Sequence, residues 1–208
     1  MRWAEWEPVY RDILADFGYD RKADEDAALL LASLARDLPR PDLAALRARV
    51  EGREVVVAGP RPAALPDGIV FATDAAAWAL PRAACVVTDL DGDVEAQAAA
   101  NARGVPLFVH AHGDNVPALR RVVPALRGPV QPTTQAQPRE GLLNAGGFTD
   151  GDRACCLAVE LGAASLALAG FDLDEPWPKP GRDPATKARK LAWARRIIDA
   201  LGVPVRAL

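Results

Sequence analysis

What most constrains this chain is a succession of short apolar runs: EVVVAG from Glu54, GIVFAT from Gly68, ACVVTD from Ala84, VPLFVH from Val105 and SLALAG from Ser165. Each is apolar almost throughout instead of alternating, as expected of strands buried on both faces. Segments of helix length, rich in Ala, Leu and Arg, separate them. Strand and helix in alternation predict an α/β fold, a mostly parallel sheet with helices on both faces.

Before Glu54 the pattern is different. Trp3, Trp6, Val9, Tyr10, Ile13, Leu14 and Phe17 recur at helical steps, and a second stripe runs from Ala27 to Leu34. We therefore expect a helical N-terminal extension over residues 1–52 and an α/β catalytic domain over 53–208. With 208 residues, 50% of them hydrophobic, there is enough chain for one substantial core and too little for two full domains. Whether the aromatic stripe of the extension is buried, or is exposed and favours a homo-oligomer, stays open at this stage.

Residues 128–147 carry Pro, Gly, Thr and Gln without a helical stripe and read as a long irregular loop. A second Pro-rich stretch, DEPWPKPGRDP, precedes a final helix expected from Thr186 to Leu201. Cys85, Cys155 and Cys156 lack CxxC spacing and read as reduced core residues. The net charge of -3 with dispersed basic residues gives no footprint for nucleic acid. No apolar run approaches the length of a membrane span, and the acidic start does not suit a signal peptide, so the cytoplasm is the expected location.

In open parallel sheets ligands bind where strands end, so polar residues just after the apolar runs are the first candidates. Asp89 and Asp91 follow ACVVT, with Gly92 allowing a tight turn between them and Asp93. Such paired carboxylates suit Mg²⁺ shared with substrate phosphates; alternatively Asp91 and Asp93 cap the next helix. Asp150 and Asp152 repeat the spacing before another helix, and Arg153 adds a cation. Asp150 and Asp152 could likewise be N-caps, but two such pairs at strand-to-helix junctions are more than capping requires, and at least one pair is read as a metal or phosphate group. His110 and His112 are read as diverging, so that both do not ligate one metal, and His112 is assigned to hydrogen bonding with substrate.

Gly59–Pro60 and Gly146–Gly147 allow close backbone approach to a ligand. Lys187 and Lys190 share a helix face and are either solvated or in contact with phosphate. Trp177 reads as core, interface or a cover for a planar ligand.

Taken in order, VVTDLDGD (86–93), HAHGDN (110–115), TTQ (133–135), NAGGFTDGDRA (144–154), GFD (170–172) and KARKL (187–191) resemble the archaeal-type 6-hydroxymethyl-7,8-dihydropterin pyrophosphokinase family. That family is in turn similar in fold to the thiamin pyrophosphokinase catalytic domain. The resemblance implies a Mg²⁺-dependent transfer of the β,γ-diphosphate of ATP to a reduced pterin alcohol, with release of AMP, on a route to folate- or methanopterin-type cofactors. Carried over by position, Asp89, Asp91, Asp150 and Asp152 become the metal and phosphate group, with His112 a catalytic candidate. Gly59, Pro60, Asp114, Asn115, Thr133, Thr134, Gln135, Asn144, Gly147, Phe148, Arg153, Asp172, Lys187 and Lys190 become contacts for ATP or pterin. Two alternatives remain, a haloacid-dehalogenase-type phosphatase suggested by DLDG and a non-catalytic nucleotide-binding module.

Overall fold

The computed structural model describes residues 1–173 and 183–208, so the expected role of Trp177 lies outside the described residues. The helical extension forms α1 (Trp3–Phe17), α2 (Arg21–Leu34) and α3 (Leu43–Val50). Asp20 and Asp42 cap α2 and α3 by accepting backbone N–H groups, and Gly18 ends α1 in the left-handed conformation.

Each apolar run forms a strand: β1 (Glu54–Ala58), β2 (Ile69–Thr73), β3 (Ala83–Thr88), β4 (Leu107–Ala111) and β6 (Ser165–Ala169). Two further strands, β5 (Val130–Thr134) and β7 (Val205–Ala207), complete a seven-stranded sheet in the order β5-β4-β3-β2-β1-β6-β7. Every pairing is parallel. The connecting helices are α4 (Val94–Ala102), α5 (Val116–Val122), α6 (Asp150–Glu160) and α7 (Pro184–Asp199).

β5 corrects the expectation of an unbroken loop over 128–147. Its sequence, VQPTT, contains a proline, which an edge strand tolerates. The returning loop covers that edge: Leu143 donates its N–H to Pro132 O, and Thr134 donates to Leu143 O. Residues 135–149 remain irregular apart from isolated bridges of Arg139 with Leu142 and of Leu143 with Thr133.

The sheet has a core on each face. Val55, Val57, Phe71, Val87 and Phe108 pack with α6, while Val56, Val70, Val86, Leu107 and Val109 pack on the other side. The N-terminal helices take part in both cores: Trp6, Tyr10 and Ile13 of α1 join the first, and Ala27, Ala28 and Leu31 of α2 join the second. The aromatic stripe of α1 is thus largely buried. Cys85, Cys155 and Cys156 are free and buried. No helix among the described residues is long and apolar enough to cross a membrane.

Strand order places the chemistry. The chain runs outward from β1 to β5, then returns through α6 to add β6 on the other side of β1, so the direction of winding reverses there. Because α6 runs back against a parallel sheet, its N-terminus lies at the carboxyl ends of the strands, beside the loops that follow β2, β3 and β4.

Candidate functional site

Asp74 follows β2, and Asp89 and Asp91 lie on the loop after β3. One carboxylate oxygen from each lies within 4.8 Å of the others. Asp74 Oδ1 accepts from Thr88 Oγ1 at 2.5 Å and from Gln97 Nε2 at 3.1 Å. Asp74 Oδ2 and Asp89 Oδ1 are also buried, but accept no hydrogen bond among the described residues. Burying carboxylate oxygens without donors is costly, and a bound cation removes that cost.

The loop is shaped to bring these groups together. Leu90 has φ 66°, an uncommon conformation for a residue with a side chain, and its N–H donates to Thr88 Oγ1 at 2.9 Å. A side chain at Gly92 would overlap the Asp74 carboxylate, so glycine permits the approach of the two loops. Asn115 Nδ2 ties the Asp89 carbonyl at 2.9 Å to the His110 carbonyl at 2.7 Å, pinning the loop to the end of β4.

His112 Nδ1 accepts the Asp114 N–H at 3.3 Å, which leaves the Nε2–H side toward Asp89 Oδ2 at 3.5 Å. Burial by itself would raise the Asp89 carboxyl. The hydrogen bond from His112 and the charges of Arg153 and His112 outweigh it and hold Asp89 below the usual carboxylate range. Asp74 goes the other way: burial, reinforced by the Asp89 charge, pushes it up to about 7.

The second acidic pair divides. Asp150 opens α6, is held well above its ordinary value by burial and then by the Asp89 charge, and pairs with Arg153 Nη1 at 3.2 Å. Asp152 turns inward instead. Its oxygens accept the Phe148 N–H at 2.5 Å, the Thr149 N–H at 2.8 Å and the Thr149 hydroxyl. This is a capping box. The Asp152 oxygens are thus engaged by the N-terminal turn of α6, whereas Asp150 faces Arg153.

Arg153 is 7% exposed and joins the site to the N-terminal helices. Its Nη2 donates to Gln135 Oε1 at 3.1 Å, Gln135 Nε2 donates to Asp24 Oδ2 at 2.7 Å, and Tyr10 donates to the same oxygen at 2.8 Å. Asp24 Oδ1 also receives the Gly113 N–H at 2.9 Å. The extension thus holds two of the site's loops.

The remaining predicted residues are dispersed. Asn144 bridges its own loop, donating to Ala136 O and accepting from Gly146 N. The Thr134 hydroxyl accepts the Ala136 N–H. Gly147, at φ 98°, passes so close to the Arg153 backbone that a side chain there would collide. Phe148 is buried against Phe17 and Tyr19, and Lys190 Nζ lies 5.4 Å from its ring centre. Lys187 lies in the first turns of α7, whereas Asp114 stands exposed after β4.

Gly59 and Pro60 end β1 at the switch point, where a side chain at Gly59 would strike Gly170 O and the Phe171 ring. Asp172 pairs there with Arg61 at 3.4 Å. His110 and His112 do not diverge: residues two apart on a strand share a face, and their rings lie 6.2 Å apart.

Sequence reasoning missed Asp74, Gln97 and Asp24 as contributors to this site, and singled out His110 without giving it a site role. The rule that selected Asp89 also selects Asp74, which follows GIVFAT directly. Asp24, one of three acids near the start of α2, carries no such local mark.

No protein-family model matches the chain. Full-length relatives do. It is 40% identical to the 6-hydroxymethyl-7,8-dihydropterin pyrophosphokinase of Methanothermobacter thermautotrophicus, covering 96% of this chain and 93% of that protein. Enzymes of the same name from Pyrococcus furiosus and Methanocaldococcus jannaschii are 36% and 31% identical, each over 97% of this chain. With relatives of this similarity along nearly all of its length, and a buried acidic cluster at the ends of a parallel sheet, the chain belongs to the 6-hydroxymethyl-7,8-dihydropterin pyrophosphokinase family.

Proposed function

We propose that this protein transfers the β,γ-diphosphate of ATP to the hydroxyl of 6-hydroxymethyl-7,8-dihydropterin and releases AMP, with Mg²⁺ held by Asp74, Asp89 and Asp91. The observation that carries the metal assignment is the pair of bare, buried oxygens, Asp74 Oδ2 and Asp89 Oδ1, within an all-oxygen donor set. Hard oxygen ligands of this kind suit Mg²⁺. When bound, the ion supplies charge neutralisation to the phosphate oxygens.

The protein's own groups do the rest by positioning and proton transfer. In the reaction, the pterin hydroxyl oxygen bonds to the β-phosphorus, the bridge to the α-phosphate breaks, and AMP leaves with the bridging oxygen. Asp150 accepts the hydroxyl proton. Burial gives it an affinity for protons above that of an ordinary carboxylate, while Arg153 at 3.2 Å favours the ionised form that must receive one. His112 orients Asp89 through Nε2, and the Asn115 clamp keeps the loop from relaxing. Transfer of this type depends on placement and charge more than on covalent chemistry.

The phosphatase alternative needs Asp89 as a covalent nucleophile, and membership of a diphosphotransferase family takes away its support. The direct test is incubation with ATP, Mg²⁺ and the pterin alcohol. AMP formed only when the pterin is present is the expected result. ADP or inorganic phosphate as the nucleotide-derived product would overturn the assignment.

A further inference from the structure

Asp24, near the start of α2, is 4% exposed and accepts hydrogen bonds from three separate segments. Its Oδ1 takes the Gly113 N–H at 2.9 Å, from the loop after β4. Its Oδ2 takes the Tyr10 hydroxyl at 2.8 Å and Gln135 Nε2 at 2.7 Å, the latter from the loop after β5. The packing around it is tight, since a side chain at Gly113 would strike the Ala23 methyl group. Gln135 is itself held: its carbonyl accepts Trp6 Nε1 at 2.8 Å, and its side chain hydrogen-bonds the His110 ring.

The direction of every bond in this chain is fixed from its far end. A guanidinium only donates, so the Gln135 atom that faces Arg153 Nη2 at 3.1 Å is the amide oxygen. The amide nitrogen is then on the Asp24 side, and its partner there must accept. The backbone N–H of Gly113 cannot reverse either. Both oxygens of Asp24 are thus required as acceptors, which a carboxylate provides and an amide does not. At the other end, Arg153 gives Nη1 to Asp150 at 3.2 Å, so Gln135 and Asp150 together set the plane of the guanidinium.

We propose that Asp24 is a positioning residue for the reaction: as an obligatory acceptor it fixes the orientation of the Gln135 amide, which aims Arg153 at Asp150. The assignment rests on the proposed function, in which Asp150 receives the hydroxyl proton. Asp24→Asn keeps the shape but introduces an NH₂ group. Against Gly113 that group meets a backbone donor that cannot turn away. Against Gln135 and Tyr10 it meets an amide and a hydroxyl that can both reverse, so this is the orientation it takes. Gln135 then turns its oxygen toward position 24 and its nitrogen toward Arg153, and two buried donors face each other at the former 3.1 Å contact. The guanidinium loses one of its two anchors, and Asp150 loses its fixed partner.

The test is the steady-state kinetics, per folded molecule, of Asp24→Asn, Gln135→Glu and the double variant, with thermal melts to verify folding. Asp24→Asn should lower kcat by roughly tenfold to a hundredfold, with KM for ATP unchanged. Gln135→Glu alone sets two carboxylates against each other and should also turn over slowly. Combining them moves the carboxylate along the chain at constant net charge: one new oxygen accepts from Arg153 and the other from the amide at position 24. The double variant should return to within about fivefold of wild-type kcat. If Asp24→Asn does not fold, the double variant is compared with Gln135→Glu alone, and a folded double variant that is no faster overturns the proposal. A lower melting temperature in Asp24→Asn with wild-type kcat would make Asp24 a support of the fold only, and a raised KM for ATP with unchanged kcat would place its effect on nucleotide binding; either result sinks the positioning role and leaves the proposed function standing. If the wild-type protein forms no pterin-dependent AMP, both fall together.

Discussion

Asp89-x-Asp91 and Asp150-x-Asp152 have the same spacing, and each pair stands where the chain enters a helix. Their surroundings divide them. After β3, Leu90 takes a left-handed conformation and Gly92 allows Asp74 to approach, so both carboxylates gather with a third one from another strand. At the start of α6 the backbone is regular, and the free N–H groups of the first turn draw Asp152 away from its neighbour. A DxD spacing therefore has no fixed meaning. The number of competing backbone donors within reach decides whether a carboxylate caps a helix or remains bare for a ligand.

The comparison breaks if the two pairs respond alike to substitution. The largest difference is expected from Asp89→Asn or Asp74→Asn. Each removes a charge from the proposed metal site, and kcat should fall about a thousandfold while the melting curve stays close to wild type. Turnover near wild type in both variants would remove the metal site from the account. Gly92→Ala sharpens the same side of the comparison, because its methyl group intrudes on Asp74. Mg²⁺ titrations of activity should shift to concentrations about tenfold higher or beyond.

Acidity gives a third test. Asp74 is raised to about 7, and Asp150 is raised as well. The folded protein therefore keeps protons that the unfolded chain releases near the usual carboxylate value of about 4. The associated stability is fully present below that value and is lost as pH rises through about 7. Without divalent ions the melting temperature should drop between about pH 5 and pH 8. Added Mg²⁺, which needs ionised carboxylates, should restore about 3 °C or more at the upper pH and almost nothing at the lower. A stabilisation independent of pH would count against these groups as ligands.

The smallest expected effect tests the other pair. Asp152→Ala removes the cap of α6 and should cost about 1 to 2 kcal/mol in urea unfolding, with turnover per folded molecule largely kept. A thousandfold loss of turnover in this variant without loss of stability would erase the distinction between the two pairs.

Much of the fold was legible in the sequence because burial on both faces forces a strand to be apolar throughout, a local property. β5 escaped because an edge strand, half covered by a returning loop, need not be apolar and tolerates Pro132. The oxygen-rich chemistry of the site was legible too, since residues after buried strands must emerge at one end of a parallel sheet. Which acids meet was not. Asp74 joins Asp89 because β2 and β3 are neighbours in the sheet, and Asp24 reaches Gln135 and Gly113 because α2 packs beside β4 and β5. Those encounters join segments far apart in the chain, as does the contact of His110 Nδ1 with Thr133 of the neighbouring strand. The sequence by itself determined the strands, the helices and a supply of carboxylates at one end of the sheet. Tertiary structure alone decided which carboxylates are left without donors, because a side chain's hydrogen-bond balance depends on every segment packed around it.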